Sequence, residues 1–261
     1  MIERDAVVEY ADALLSATAS GVPIGPFSEG DAPFEVRDAY AVQRATLERR
    51  LAAGDRLIGR KIGLTNTVVQ RQLGIDQPDF GFLTATMHVA NAGALRRADF
   101  IAPRVEPEIA FVLRSGLRGP GIGAADVRRA TGGVCAALEI IDSRIADWRI
   151  GFVDTVADNA SSSRVVTSPR LVPLHDCDLV RERVVLYANE AAVGDGTGAA
   201  VLGDPAEAVA WLVNALAEYG DELHAGDLVL PGAMCAAAWV APASTYRAAF
   251  ATLGDVSVTF G

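Results

Sequence analysis

Lysine is almost absent from this sequence: Lys61 is the one lysine among 23 basic residues. A GC-rich genome drifts lysine toward arginine, so a position that resists either escaped by chance or needs something arginine lacks. An ammonium can give up and regain a proton at workable pH, whereas a guanidinium stays charged. Cysteine and histidine are scarce too, at three each. Cys135, Cys177 and Cys235 are odd in number, lack CxxC spacing and sit in apolar contexts such as GGVCAALEII, so reduced core thiols are expected rather than a disulfide or zinc framework. His88, His175 and His224 lie far apart in loop-like contexts and read as surface or core residues rather than ligands. Basic charge is outweighed, with 33 acidic residues against 23 basic and a net charge of -10, which disfavours a phosphate backbone as partner. No run approaches the ~20 apolar residues that span a bilayer. The start, MIERDAVVEYADALLSATASG, lacks the cationic-then-apolar layout of a signal peptide. These absences predict a cytoplasmic protein with neither a nucleic-acid nor a membrane partner.

What is present is an ordinary globular composition, with 51% hydrophobic and 21% charged residues over 261 positions, which excludes disorder and a fibrous class. Helical spacing of Val7, Ala11, Leu14 and Leu15 predicts a helix over 5–19, and Val36, Ala39, Tyr40 and Leu47 predict a second over 36–53 stopped by Gly54. From Leu57 the texture changes to short apolar stretches cut by Gly, Pro and Asp. Strands are expected over 57–62, 107–113, 138–141, 165–167, 184–188, 227–230 and 256–260. DPAEAVAWLVNALAEYG is the best-marked helix, with Asp204 as N-cap, Pro205 in the first turn, Glu207 at the capping-box position and Gly220 as stop. AADVRRATGGVCAALEII reads as a helix leading into a buried strand. The expectation is an N-terminal helical cap, residues 1–56, on one β-rich catalytic domain, residues 57–261.

The chemistry concentrates in the middle third. In RVEPEIAFVL, Glu106 and Glu108 are two apart, so on a strand both carboxylates leave one face while Ile109, Phe111 and Leu113 leave the other. Taken alone, this fits an exposed alternating strand. Glu139 changes the balance, because it interrupts the apolar run of CAALEII, and buried carboxylates are rare unless paired or bound to metal. Three carboxylates without a nearby histidine or thiol favour a hard cation, Mg²⁺ or Mn²⁺, before Zn²⁺. FVDTVADNASSS, with Asp154, Asp158, Asn159 and Ser161 to Ser163, is either a plain turn or a source of hydroxyl and amide donors for a carboxylate substrate. GRKIGLTN lets the chain approach a ligand closely around Lys61 but lacks P-loop spacing, so no nucleotide cofactor is indicated.

In this order GRKIGLT, DQPDFGFL, RVEPEIAFVL, LEIIDSRIADW, FVDTVADNASS and LGDPAEAVAWL resemble the 2-oxopent-4-enoate (2-hydroxypenta-2,4-dienoate) hydratases of aromatic and steroid ring degradation. Their relatives are the 4-oxalocrotonate decarboxylases, within the fumarylacetoacetate hydrolase-like superfamily. The resemblance implies an α+β fold with a mixed, rolled β-sheet at its centre and a homo-oligomer, with possible association with a pathway aldolase or decarboxylase. It implies Mg²⁺ or Mn²⁺ on Glu106, Glu108 and Glu139, with Lys61 and Asp79 catalytic and Leu64, Asn159 and Ser161 around the substrate. Lys61 would relay a proton, with a depressed pKa beside the metal, and Asp79 would act as base toward water. Asp79 in DQPDFGFL and the LPGAM segment resemble the hydratases, whereas VEPE and DNASSS resemble the decarboxylases, so decarboxylation of a 2-oxo-3-enedioate is the alternative. A non-catalytic partner of such an enzyme is a third reading, weakened by the completeness of the matched positions. The Glu-His pair of the hydrolase branch is not found. Phe80, Phe82, Leu83 and Trp148 are candidates for the pocket wall.

Overall fold

The computed structural model describes residues 2–30, 33–66, 70, 75 and 77–261; Asp76, in the DQPDFGFL motif, lies outside the described residues. Helix α1, Arg4–Ser20, buries Ala11, Leu14 and Ala17 at intervals of three and ends where Gly21 takes φ 69°. Helix α2, Val36–Ala52, opens on a reciprocal cap in which Glu35 N donates to Asp38 Oδ2 at 3.0 Å. Its buried face carries Ala39, Tyr40, Val42, Gln43, Thr46 and Leu47. The helical N-terminal region was therefore legible to within a residue or two. It shares its core with the rest of the chain: Ala11, Leu14, Ala39, Tyr40 and Val42 belong to the same buried cluster as Ile109, Phe111 and Leu138.

Thirteen strands follow among the described residues: β1 Leu57–Gly63, β2 Asp79–Thr84, β3 His88–Ala90, β4 Gly93–Leu95, β5 Arg104–Leu113, β6 Thr131–Ile141, β7 Ser162–Thr167, β8 Arg183–Ala188, β9 Ala191–Thr197, β10 Leu228–Leu230, β11 Ala238–Trp239, β12 Ser244–Phe250 and β13 Gly254–Phe260. One sheet runs β2-β1-β10-β5-β6-β7-β3, with β11 pairing β5 beyond β10; the other runs β4-β13-β12-β8-β9. Both are mixed, since β1–β10, β3–β7 and β4–β13 are parallel and the remaining pairs antiparallel. The smaller sheet packs through β12 and β13 onto β6 and β7. Among the described residues three further α-helices follow: α3 Ala124–Ala130, α4 Phe152–Ala157 and the longer α5 Pro205–Glu218. Asp204 caps α5 as expected, accepting from Ala206 N at 2.9 Å.

Two expectations change. The helix leading into a buried strand is present, but the strand expected from 138 already begins at Thr131, where Thr131 and Gly133 pair across to β5 around an irregularity at Gly132. FVDTVADNASSS is not one loop but α4, a tight turn and the start of β7. The strands missed from sequence include β2, which is buried throughout and so shows no alternation, and β9, which is largely exposed. Cys135 and Cys177 are buried and Cys235 half-buried, all as free thiols.

The central pair β5 and β6 carries the site. On one side of β5, Ile109 and Phe111 are wholly inaccessible, each contributing roughly 1.5–3 kcal/mol by burial. On its other edge, β10 pairs only Phe111 and Val112 and β11 only Arg104 and Val105, leaving a gap between them. Pro107 sits at this gap. A strand residue points its N–H and C=O the same way, so the donor that proline lacks faces the gap, where Pro107 O accepts from Met234 N at 3.0 Å. The gap admits the 231–237 segment across the site.

Candidate active site

Register brings the acids together. Glu106 on β5 is paired with Glu139 on β6, and Glu108 with Ala137, so the three carboxylates share one sheet face. One oxygen from each lies within 4.8 Å of the others. Glu108 and Glu139 are wholly inaccessible, and Glu106 is half-buried. Glu108 Oε2 accepts from Gly232 N at 2.7 Å. Gly232 has φ 124°, and a Cβ there would fall 2.0 Å from Thr65 Oγ1, so only glycine presents its N–H in this way. Glu108 Oε1 and both Glu139 oxygens are buried with no hydrogen-bond partner among the described residues.

Lys61 comes from β1, two strands from β5. Its Nζ lies 3.3 Å from Glu139 Oε2 and donates to Ala160 O at 3.1 Å. Asp79 begins β2, in register with Gly63. A Cβ on Gly63 would fall 2.2 Å from Asp79 Oδ1 and 3.2 Å from Lys61 Nζ, so the missing side chain is what lets acid and ammonium converge there. Thr155 Oγ1 on α4 donates to Asp79 Oδ2 at 3.2 Å, while Oδ1 has no partner among the described residues.

The electrostatics follow from burial. Loss of water, then the neighbouring Glu139 charge, pushes the Glu106 carboxyl up to about 7. Burial and Glu139 also raise Glu108 well above the carboxylate range. Burial raises Asp79, and Lys61 beside it opposes the rise. For Lys61, burial works against the charge, but Glu139, Asp79, Glu106 and Glu108 outweigh it and hold the ammonium above its ordinary value. Without a cation on the glutamates, Lys61 therefore keeps its proton; the depressed pKa expected for it refers to the metal-bound site.

The turn after α4 supplies the remaining wall. Asn159, Ala160 and Ser161 take φ 57°, 49° and 55°, three successive left-handed residues costing roughly 1 kcal/mol or more each for those with ordinary side chains. Asn159 Oδ1 accepts from Phe82 N at 2.7 Å and its Nδ2 donates to Phe82 O at 3.1 Å. Both ends of this amide are thus committed to β2, and the expected substrate-facing donor is instead a brace for the turn. Ser161 is buried, and its Oγ has no partner among the described residues. Leu64 follows β1 with φ 56°, half-buried, its carbonyl accepting from Gln70 Nε2 at 2.6 Å.

Arg144, not singled out from the sequence, and Asp158, named there only as part of a polar stretch, lock this turn from behind. Arg144 Nε pairs with Asp158 Oδ1, and Arg144 Nη1 donates to Asp142 O at 2.6 Å and Ser162 O at 3.1 Å. Ser143 Oγ and Arg144 N donate to Asp158 Oδ2, and Asp142 N donates to Ser161 O at 2.8 Å. Their signal in the sequence was charge inside the apolar stretches LEIIDSR and TVADNA. Of the suggested wall residues, Phe80 and Phe82 alternate with Asp79 and face away, where they line a separate cavity of about 730 Å³ with Tyr40, Arg60 and Tyr219. Leu83 is in the core, and Trp148 stands beside Arg104 at the start of β5. His88, His175 and His224 are exposed and outside the acid group.

Residues 45–260 match the fumarylacetoacetate (FAA) hydrolase C-terminal family. The chain belongs to that family. It is 42% identical over 260 residues to a 2-keto-4-pentenoate hydratase of Burkholderia vietnamiensis, covering 100% of this chain and 99% of the relative. A 2-hydroxyhexa-2,4-dienoate hydratase of Comamonas testosteroni is 38% identical over 262 residues, covering 100% and 99%. Among solved structures, the 4-oxalocrotonate decarboxylase of Pseudomonas putida G7 complexed with magnesium and adipate superposes with a TM-score of 0.97 at 35% identity, over 100% of this chain and 99% of that one. Within the family, the chain therefore falls with the hydratases and this decarboxylase, with the mixed sheets and helical N-terminal region they imply.

Proposed function

We propose that the chain is a divalent-cation-dependent hydratase that adds water to 2-hydroxypenta-2,4-dienoate or a close analogue, giving a 4-hydroxy-2-oxo acid. The observation that carries this reading is the buried group of Glu106, Glu108 and Glu139, whose partnerless oxygens lie beside Lys61 and Asp79. Three buried carboxylates cannot all stay ionised without a cation, and an all-oxygen donor set suits Mg²⁺ or Mn²⁺. Such an ion, when bound, supplies positive charge against the negative charge that develops on a substrate oxygen. The magnesium complex of the 35% identical decarboxylase supports Mg²⁺.

The side chains divide the proton work. Addition of water needs a base that takes a proton from water and an acid that delivers one to carbon. Asp79 Oδ1 is the base: it is partnerless, its affinity for a proton is raised by burial, and Thr155 fixes its other oxygen. Lys61 Nζ is the acid, held in place by Ala160 O and Glu139; with a cation on the three glutamates the charges that raise its proton affinity are offset, which frees the proton for transfer. Ser161 Oγ donates to the substrate, Leu64 supplies an apolar wall, and Asn159 positions the turn that carries Ser161. Decarboxylation needs no base toward water, so the partnerless Asp79 oxygen favours hydration. Residues 1–56 act as a cap on the catalytic domain of 57–261, tied down where Gln43 Nε2 donates to Phe80 O at 2.9 Å and Val156 O at 2.7 Å. A homo-oligomer in the cytoplasm, open to association with a pathway aldolase or decarboxylase, completes the proposal. Among the described residues no helix is long and apolar enough to cross a membrane.

The test is an ultraviolet assay with Mg²⁺, comparing freshly generated 2-hydroxypenta-2,4-dienoate with 2-oxohex-3-enedioate and identifying products by mass. Water gain on the first, abolished by EDTA and by Asp79→Asn, is expected. Carbon dioxide release from the second without hydration of the first would move the assignment to decarboxylase.

A further inference from the structure

Arg104 opens β5 two residues before Glu106, so its side chain leaves the same strand face, its Cβ about 7 Å from that of the first carboxylate. Trp239 is its register partner on β11. The guanidinium carbon lies 3.9 Å from the centre of the Trp239 ring and 4.0 Å from that of Trp148, in the corner of two indoles set at 87° to each other. That corner restricts the cation without using its N–H groups in hydrogen bonds. Arg104 Nε is out of contact with solvent and has no hydrogen-bond partner among the described residues, nor is there an ion pair to Arg104 among them. Trp148 itself is held at φ 54°, an uncommon conformation for so bulky a residue, with its indole N–H donating to Ala102 O at 3.0 Å. The protein thus holds a cation with donors to spare beside its acid group.

We propose that Arg104 receives the carboxylate of the substrate at the mouth of the site. Accessibility locates the mouth: Glu108 and Glu139 are sealed, Glu106 is half-buried and Trp239 is 59% exposed, so the site opens toward the Arg104 end of β5. Charge gives the reason. Glu106, Glu108, Glu139 and Asp79 face one ammonium, and a bound divalent cation still leaves the acids in excess, so Arg104 is the further cation an incoming acid meets at the rim. A guanidinium is the side chain suited to two parallel hydrogen bonds with a carboxylate. The inference rests on the functional reading above only in requiring an acid substrate.

The experiment measures binding rather than turnover: calorimetry of 2-oxopentanoate with the Mg²⁺-loaded protein, wild type against Arg104→Met, with Mg²⁺ affinity and melting temperature measured separately. Loss of a charged hydrogen-bonding partner is expected to weaken 2-oxopentanoate binding roughly tenfold or more. Mg²⁺ binding should hold or tighten, because a neighbouring positive charge has gone. A residue that merely supported the acid group would weaken both together. Should Arg104→Met fail to fold, Arg104→Lys keeps the charge but loses the planar fork, and the same separation between anion and cation binding is expected. Undiminished 2-oxopentanoate binding in the folded variant overturns the proposal, as does a wild type that does not bind it. Arg104-dependent binding in a wild type that hydrates no dienoate would uphold the proposal and overturn the hydratase reading.

Discussion

The Arg144–Asp158 pair and the Glu106–Glu108–Glu139 group are both buried, yet they are built in opposite ways. Around Asp158, each carboxylate oxygen is answered by donors from Arg144 and Ser143, and the Arg144 guanidinium also reaches three backbone carbonyls. Among the glutamates, like charges face each other across a ladder and three oxygens are left without hydrogen-bond partners among the described residues, Lys61 meeting one of them only as an ion pair at 3.3 Å. A satisfied cluster shapes the backbone, and here it holds three left-handed residues in place. An unsatisfied cluster costs stability unless something completes it, so it marks where a ligand belongs.

Glu108→Gln should break the second arrangement most severely. Metal-dependent turnover should fall by on the order of a thousandfold, while the cation-free protein melts no lower, because burial already disfavours the charged form of Glu108 and the amide can still accept from Gly232 N. A lower melting point would mean that the acids are structural. Arg144→Met should do the reverse, costing about 3–5 kcal/mol in urea unfolding by leaving Asp158 unpaired. Little loss there would dissolve the contrast.

Titration sharpens the comparison further. Glu106 is raised from 4.5 to about 7 in the folded protein, so the native state holds a proton that the unfolded state has released. Glu106 alone should therefore make cation-free stability fall by up to about 1.4 kcal/mol per pH unit as pH rises from about 4.5 to about 7, and Glu108 and Asp79, also raised by burial, add with the same sign. Asp158, raised by burial to about 6, adds the same sign between 3.8 and about 6. Saturating Mg²⁺ should remove the portions due to Glu106 and Glu108 and leave those of Asp158 and Asp79, which urea titrations across pH would read. The smallest effect is expected for Ser161→Ala: an unchanged melting temperature, since its hydroxyl has no described partner, with KM raised by roughly two- to tenfold through one lost hydrogen bond.

Much of the site was legible because its chemistry is local. Glu106 and Glu108 announce a shared face through the period of a strand, Glu139 stands out against an apolar run, and Lys61 stands out in a sequence otherwise without lysine. The brace that Asn159 makes to Phe82 was not legible, because a short amide in a polar stretch looks the same whether it faces substrate or holds a neighbouring strand. The pairing of Arg144 with Asp158 was not legible for a related reason: each is an ordinary charged residue until the partner 14 positions away is seen.

By itself the sequence determined the helical N-terminus, the three acids, the lone ammonium and the family, since helical spacing, strand alternation and motif order are properties of neighbouring residues. Only the tertiary structure decided that Glu139 pairs with Glu106, that glycine at 63 lets Asp79 meet Lys61, and that the four acids hold Lys61 charged. Those facts depend on strand register and on the removal of water, and both arise only when segments distant along the chain pack together.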